Sequence, residues 1–278
     1  MGSEIAKHLI LSGYDVTVFN RTSQKSQLWQ EKYGGKIAYT LEELVENKDF
    51  IISCVGRDED LKEVTIADLG CFKFIKKDAI FIDHTTTSSK LAIQLYQEAK
   101  TKGFHFLDAP ISGGESGAIE GKLTVMIGGD EKSYNHSIDL LDQYSIKHKY
   151  LGKAGSGQKA KMANQICIAG IIQGLSEALL FSKNAGLSPF DVIEVISEGA
   201  ASSWQMTNRH QSMLSDYYDH GFAVKWMRKD LHYAIMEAKE NNSPLPITKI
   251  IDQYYAEIEG MGGKEWDTSS LLKRLENL

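Results

Sequence analysis

The chain has 278 residues, enough for about two domains at ~150 residues each. Apolar residues make up 42%, charged residues 24%, and only 4 residues are proline, which excludes collagen-like, disordered and coiled-coil classes. A net charge of −6 gives no general attraction to nucleic acid or anionic lipid, so neither is expected as a partner and any anionic ligand must be held locally.

The N-terminus, Met1–Leu11, has no basic flank, long apolar run or cleavage site, so no export signal is expected. The longest apolar stretch, Ile166–Leu180, is interrupted by Gln173, Ser176 and Glu177, and no membrane span is expected from it. Cys54, Cys71 and Cys167 are scattered without C-x-x-C spacing, which argues against a disulfide framework and against a metal site. A reducing, cytoplasmic setting follows as the expectation.

In chain order, Met1-Gly2 opens an amphipathic helix that runs to Ser12 and stops at Gly13, and a strand follows at Asp15–Asn20. This reads as the second half of a dinucleotide-binding βαβ unit, with Gly2 standing where the last glycine of G-x-G-x-x-G falls. The expectation is that the first strand and the first two glycines are missing from the chain as written. By itself, a lone glycine before a helix reads more readily as an ordinary helix start. At the strand's end, Asn20-Arg21-Thr22 stands where an NAD enzyme usually places an acid for the ribose 2′-hydroxyl. An arginine there suits a 2′-phosphate, with Asn20 and Thr22 as neutral donors, so NADP is expected with NAD possible. The other reading of Arg21 is a solvated loop charge.

Further strands are predicted at Asp49–Val55, Ala79–His84, His105–Ala109 and Leu123–Gly128, with helices such as Thr40–Asn47 and Ser88–Lys102 between the earlier ones. This alternation predicts an α/β domain with a doubly wound, Rossmann-type parallel sheet over residues 1–151. From residue 152 to 278 the patterns are helical, so an all-α domain for substrate and dimerisation is expected. Lys159–Ala185 reads as one long helix closed by Gly186, apolar nearly all round and therefore expected to be buried. Ser188-Pro189 opens the next helix as a Ser cap with proline in the first turn.

Ser112-Gly113-Gly114 follows the strand at His105–Ala109, and two glycines there let main-chain N–H groups turn inward on an anion beside a serine hydroxyl. Taken alone it is usually just a turn. Lys161 shares a helix face with Asn164, whereas Lys159 points elsewhere. An ammonium on so apolar a helix is costly unless a cleft or partner receives it, and desolvation is expected to lower its pKa towards the working range. The general alternative is a solvated surface lysine. Lys229 precedes Asp230, where a plain surface ion pair is the competing reading. Trp204, Phe222 and Trp226 either wall a pocket or fill a core, and His84 lacks the partners of a catalytic histidine and is read as structural.

Three segments occur in an order and spacing that resembles the β-hydroxyacid dehydrogenase family across essentially the whole chain. They are Asp108-Ala109-Pro110-Ile111-Ser112-Gly113-Gly114, Gly155-Ser156-Gly157-Gln158-Lys159-Ala160-Lys161-Met162-Ala163-Asn164, and Lys229-Asp230-Leu231. The resemblance implies that Ser112, Gly113 and Gly114 bind a substrate carboxylate and that Lys161, oriented by Asn164, is the acid/base. It further implies that Thr86 lies near the nicotinamide, that Lys229 lies near cofactor and substrate, and that Val55-Gly56 follows a strand facing the cofactor, where the family more often has Leu-Pro. Met1 and Gly2 would close on the pyrophosphate. The expected protein is then a homo-oligomeric, dimeric or tetrameric, NADP-dependent oxidoreductase acting on a small β-hydroxy acid or its semialdehyde, without a metal. The alternatives are a non-catalytic nucleotide-binding or scaffold protein, and an inactive truncated product.

Overall fold

Isoleucine- and phenylalanine-rich runs in the first half of the chain form strands, as their β-branched and aromatic content favours. The computed structural model describes all residues, 1–278, which divide into two units, Met1–Lys161 and Met162–Leu278. In the first unit, β1 (Thr17–Val18) and β2 (Lys36–Ile37) pair in parallel as a sheet of their own. A second sheet contains β3 (Phe50–Ser53), β4 (Ile80–Asp83), β5 (His105–Asp108), β6 (Ile111–Ser112), β7 (Leu123–Gly129) and β8 (Ser145–Tyr150). Its order is β3-β4-β5-β7-β6, with β8 on β7. β3, β4 and β5 are parallel, whereas β7 runs antiparallel to both β5 and β6, and β8 parallel to β7. The sheet is thus parallel in its leading part and mixed beyond β5. Where a six-residue strand at Asp15–Asn20 is predicted, only Thr17–Val18 is laddered, because the short β2 is its one partner.

The helices of this unit are α1 (Gly2–Leu11), α2 (Ser23–Tyr33), α3 (Leu41–Val45), α4 (Asp58–Thr65), α5 (Ser89–Lys102), α6 (Gly114–Ile119), α7 (Glu131–His136) and α8 (Ile138–Leu141). Alternate side chains of one strand point to opposite faces. Ile80 and Ile82 of β4 therefore join Ile5 and Leu9 of α1 and Leu123, Val125 and Ile127 of β7 in one core. Phe81 joins Leu61 of α4, Leu91 and Leu95 of α5, Phe72 and Phe106 in the other. Phe81 meets Phe72 edge-on at 5.2 Å and stacks on Phe106 at 5.7 Å, geometries worth about 0.5–1.5 kcal/mol each beyond the area they bury. α5 begins where the Ser88 hydroxyl accepts the Leu91 N–H at 3.2 Å, and it ends at Gly103 in the left-handed conformation.

α9 (Ser156–Asn184) contains the division after Lys161. It is followed by α10 (Pro189–Ile196), α11 (Trp204–Leu214), α12 (Val224–Glu240), α13 (Pro246–Gly260) and α14 (Leu271–Leu275). Ser188 caps α10 from the Asp191 N–H, with Pro189 in its first turn. Ala169 and Ile172 pack with Val224, Met227, Leu231, Tyr255 and Leu271, and Leu175 and Leu179 with Ile193, Met206 and Met213. α9 is not buried all round, however. Ala163, Cys167, Gly170, Ile171, Gly174 and Phe181 form an exposed stripe along it, because neighbouring helices cover only part of its circumference. By length and composition α9 also passes for a membrane-crossing helix, a test that a core helix of this kind meets as well. Phe222 packs against the first of these cores and Trp204 is half exposed over Arg209, 5.0 Å from it.

Candidate active site

β3, β4 and β5 end in the polar residues Ser53, Asp83 and Asp108, with Ser53 in register with Asp83, and Asp83 with Asp108. Both carboxyls are wholly buried. The Ser53 hydroxyl donates to Asp83 Oδ1 at 2.5 Å, and the Thr85 N–H donates to the same oxygen at 3.1 Å. Asp83 Oδ2 has no hydrogen-bond partner. Burial pushes the Asp83 carboxyl up to about 7 against those bonds, and the neighbouring Asp108 adds to the rise. The Val55 N–H donates to the Thr85 hydroxyl at 3.1 Å, and Ser88 gives its N–H and hydroxyl to Asp58 at 2.9 and 2.5 Å. The loops after β3 and β4 are thereby laced together at the carboxyl ends of parallel strands, where open α/β sheets bind their ligands.

Asp108 fixes the start of α9. Its Oδ1 accepts the Gly155 N–H at 2.8 Å and its Oδ2 the Gln158 N–H at 3.0 Å, so a buried carboxylate meets unpaired donors at a helix N-terminus. Burial nevertheless pushes Asp108 up to about 6, the N–H donors opposing it. Gly155 has φ +90°, and a side chain at Gly157 would come within 2.4 Å of the main-chain oxygens of Asp108 and Met126. The glycines at 155 and 157 are therefore demanded by the turn and by the close approach of α9 to β5 and β7. The Gln158 side chain, itself fully buried, accepts the Thr87 N–H at 3.0 Å and donates to the Thr85 carbonyl at 2.7 Å. One turn further, Lys161 is only 7% exposed, while Lys159 is exposed. Thr86 sits between the two clamped residues and is partly exposed where Thr85 and Thr87 are buried.

The remaining predicted residues fall in separate places. Met1 and Gly2 begin α1, and a side chain at Gly2 would lie 3.4 Å from Cys54 Cβ, at the carboxyl end of β3. Asn20, Arg21 and Thr22 form an exposed turn in which Asn20 Oδ1 accepts the Thr22 N–H at 2.9 Å. Arg21 is 82% exposed, with Glu63 at 3.9 Å. Val55 and Gly56 follow β3, beside Thr85. Ser112 ends β6, and Gly113 and Gly114 follow it exposed, with φ +121° and +63°. In the second unit, Asn164 donates to Gln165 at 2.8 Å, Gln165 to the buried Asp230 at 2.7 Å, and Lys229 pairs with Asp230 at 3.2 Å. Lys229 also lies 5.6 and 5.5 Å from the rings of Trp226 and Tyr233, so its pair with Asp230 is a packed one rather than a solvated one.

His84 is buried, with Nδ1 2.6 Å from the Ala109 carbonyl and Nε2 2.9 Å from the Tyr144 hydroxyl. Burial lowers it to about 4, so it is neutral, donating to Ala109 and accepting from Tyr144. Sequence reasoning did not single out Asp83, Asp108 or Gln158 as a working unit. The signal available was an aspartate closing each of two apolar strands, Phe81-Ile82-Asp83 and Phe106-Leu107-Asp108, since a carboxyl in so apolar a setting needs a structural or chemical reason.

Residues 1–152 match the NAD-binding domain of 6-phosphogluconate dehydrogenase, and residues 155–275 the NAD-binding domain of NADP-dependent 3-hydroxyisobutyrate dehydrogenase. The chain is 48% identical to an uncharacterized oxidoreductase of Shewanella frigidimarina over 276 residues, 99% of this chain and 95% of that one. It is 31% identical to the 2-hydroxy-3-oxopropionate reductase of Escherichia coli, covering 99% of this chain and 94% of that one. The 3-hydroxyisobutyrate dehydrogenase of Mycobacterium tuberculosis, solved with L-serine, superimposes with a TM-score of 0.87 at 24% identity, covering 99% and 95%, and shows the shared fold. The laced carboxyl edge, the glycine-governed start of α9 and these matches together place the chain in the β-hydroxyacid dehydrogenase family of NAD(P)-dependent oxidoreductases.

Proposed function

We propose that this protein interconverts a small carboxylate-bearing semialdehyde and its β-hydroxy acid with NADP(H), using Lys161 as the acid/base. The observation that carries the reading is the contrast between two lysines on α9: Lys161, one turn after the Gln158 whose N–H Asp108 accepts, is buried, and Lys159 is exposed. A buried ammonium with no role would be a cost that an exposed one avoids.

The residues of the first unit suit a dinucleotide. α1 opens without a side chain at Gly2, leaving bare main chain beside the end of β3, where N–H groups can receive a pyrophosphate. Arg21, extended into solvent with a single distant carboxylate, is free to turn onto a 2′-phosphate in two hydrogen bonds. The nicotinamide, when bound, supplies the hydride. Ser112, Gly113 and Gly114 hold the carboxylate, the serine through its hydroxyl and the glycines through main-chain N–H groups that their positive φ angles can present. Lys161 gives a proton to the carbonyl oxygen as the aldehyde is reduced and takes it back from the hydroxyl in the reverse direction, with Asn164 one turn along the same helix to orient the reacting oxygen. Such a positioned proton donor contributes ~10²–10⁴-fold.

The test is a substrate panel. Succinic and tartronate semialdehydes and matched uncharged aldehydes are assayed with NADPH, in the parent and in Ser112→Ala. A kcat/KM preference for the charged aldehydes, weakened in the variant, supports the reading, and equal rates on charged and uncharged aldehydes would reject the carboxylate site.

A further inference from the structure

We infer that Gln158 is a positioning residue that sets Lys161 and the Thr85–Thr87 loop in register with one another. Its partners are two main-chain groups on either side of Thr86, the Thr85 carbonyl at 2.7 Å and the Thr87 N–H at 3.0 Å. A primary amide has one donor edge and one acceptor edge, and both are used here, much as in a base pair. The Gln158 N–H is bound in turn by Asp108 at 3.0 Å. One residue therefore couples three things: the end of β5, the first turns of α9 that carry Lys161, and the loop after β4 that presents Thr86. All of them lie within the first unit.

The inference rests on the proposed role of Lys161 and extends it. Thr85 and Thr87 are buried, so their main-chain groups cannot turn to water if the amide is removed. The loop must then shift until they find other partners, and Thr86 moves with it relative to Lys161. A displacement of about 1 Å between reacting groups costs on the order of 10²-fold in rate. The carboxylate segment Ser112–Gly114 makes no contact with Gln158 among its hydrogen bonds, so substrate affinity is not expected to move with it.

Two substitutions test this. Gln158→Met keeps length and burial but loses both bonds. Gln158→Glu keeps the shape, and its carboxyl resembles the amide only while protonated, with its O–H donating to Thr85 and its carbonyl accepting from Thr87. Asp108 faces the position directly, Asp83 lies at the foot of the clamped loop, and Lys161 lies one turn along the helix. The two acids favour retention of the proton, so the Gln158→Glu kcat, taken as a ratio to the parent's, should be near one at acidic pH and fall as pH rises. Gln158→Met should be about 10- to 100-fold slower in kcat at every pH, with KM for the semialdehyde within about twofold of the parent.

Hydrogen exchange supplies a reading that needs neither cofactor nor turnover: the Thr87 amide should exchange at least tenfold faster in Gln158→Met, with the β3–β5 amides unchanged. Parental kcat in Gln158→Met, unchanged protection at Thr87, or a pH-independent ratio for Gln158→Glu would overturn the proposal. If Gln158→Met does not fold, the pH ratio of Gln158→Glu decides. Lys161→Ala is measured alongside. Turnover retained in Lys161→Ala rejects the acid/base reading itself, whereas its loss together with a parental Gln158→Met rejects only the positioning role.

Discussion

Asp108 and Gln158, fifty residues apart in sequence, are joined by a 3.0 Å hydrogen bond from the glutamine N–H to the aspartate Oδ2, with both residues fully buried. That bond ties the carboxyl end of a sheet strand to the first turn of the helix that bears Lys161. Charge-assisted bonds to a buried carboxylate are worth about 1.5–3 kcal/mol each, and Asp108 accepts a second from Gly155. The start of α9 is thus one of the more firmly fixed points of the first unit.

Gly157→Ala should loosen that point. The added methyl meets the main-chain oxygens of Asp108 and Met126 at 2.4 Å, and neither can retreat without disturbing β5 or β7. Overpacking of this kind costs about 1–3 kcal/mol or more, so a Tm lower by at least several degrees is expected. Gly170→Ala, on the same helix with nothing near the new methyl, is the control and should hold Tm or raise it by up to about 3 degrees, alanine being the better helix former by about 1 kcal/mol. Equal Tm for the two variants would contradict the packing described.

Asp83→Asn should change how stability depends on pH. The folded-state value of Asp83 is raised to about 7 from 3.8, so the folded protein holds a proton that the unfolded chain has released. Its contribution is fully present below the unfolded value and is lost as pH rises through about 7, with a slope of at most about 1.4 kcal/mol per pH unit. Asp108, raised to about 6, acts in the same direction, and His84, lowered to about 4, acts in the opposite one, its contribution being lost as pH falls below 6.5. Parent and variant should therefore be compared by difference. Denaturant melts should show Asp83→Asn gaining on the parent from about pH 4 to 7 and holding level above. A constant difference across that range would contradict the assignment.

Arg21→Ala should raise the dissociation constant for NADPH by about tenfold and leave that for NADH within about twofold, as expected when a phosphate loses a two-point guanidinium contact. Fluorescence titration with both cofactors measures it. An unchanged NADPH-to-NADH ratio would leave Arg21 as a surface charge near Glu63.

The segments that carry the proposed site are legible because each is local. Gly155, Gly157 and Lys161 sit within one short segment, and Ser112-Gly113-Gly114 within another. The parallel strands β3, β4 and β5 were legible for a related reason, each carrying a run of two or three apolar residues packed into the cores on the sheet's two faces. Pairing across the sequence was not. β2, β6 and β8 were missed because β2 and β6 have two residues each and β8, Ser-Ile-Lys-His-Lys-Tyr, has one aliphatic residue, Ile146, and that one reaches solvent. The partners of Asp83 and Gln158 lie 30 and 71 residues away, distances at which no periodicity or spacing speaks. The exposed stripe of α9 was hidden for the opposite reason, since an apolar face can be recognised from sequence but what covers it cannot.

The most direct test of the central claim compares kcat for Lys161→Ala and Lys159→Ala, on a semialdehyde that the parent reduces, with NADPH binding and melting temperature measured on the same samples. The account predicts a fall of about 10²-fold or more for Lys161→Ala with cofactor affinity and Tm near parental, and less than about threefold for Lys159→Ala. Near-parental turnover in Lys161→Ala, or equal losses in the two variants, would contradict it.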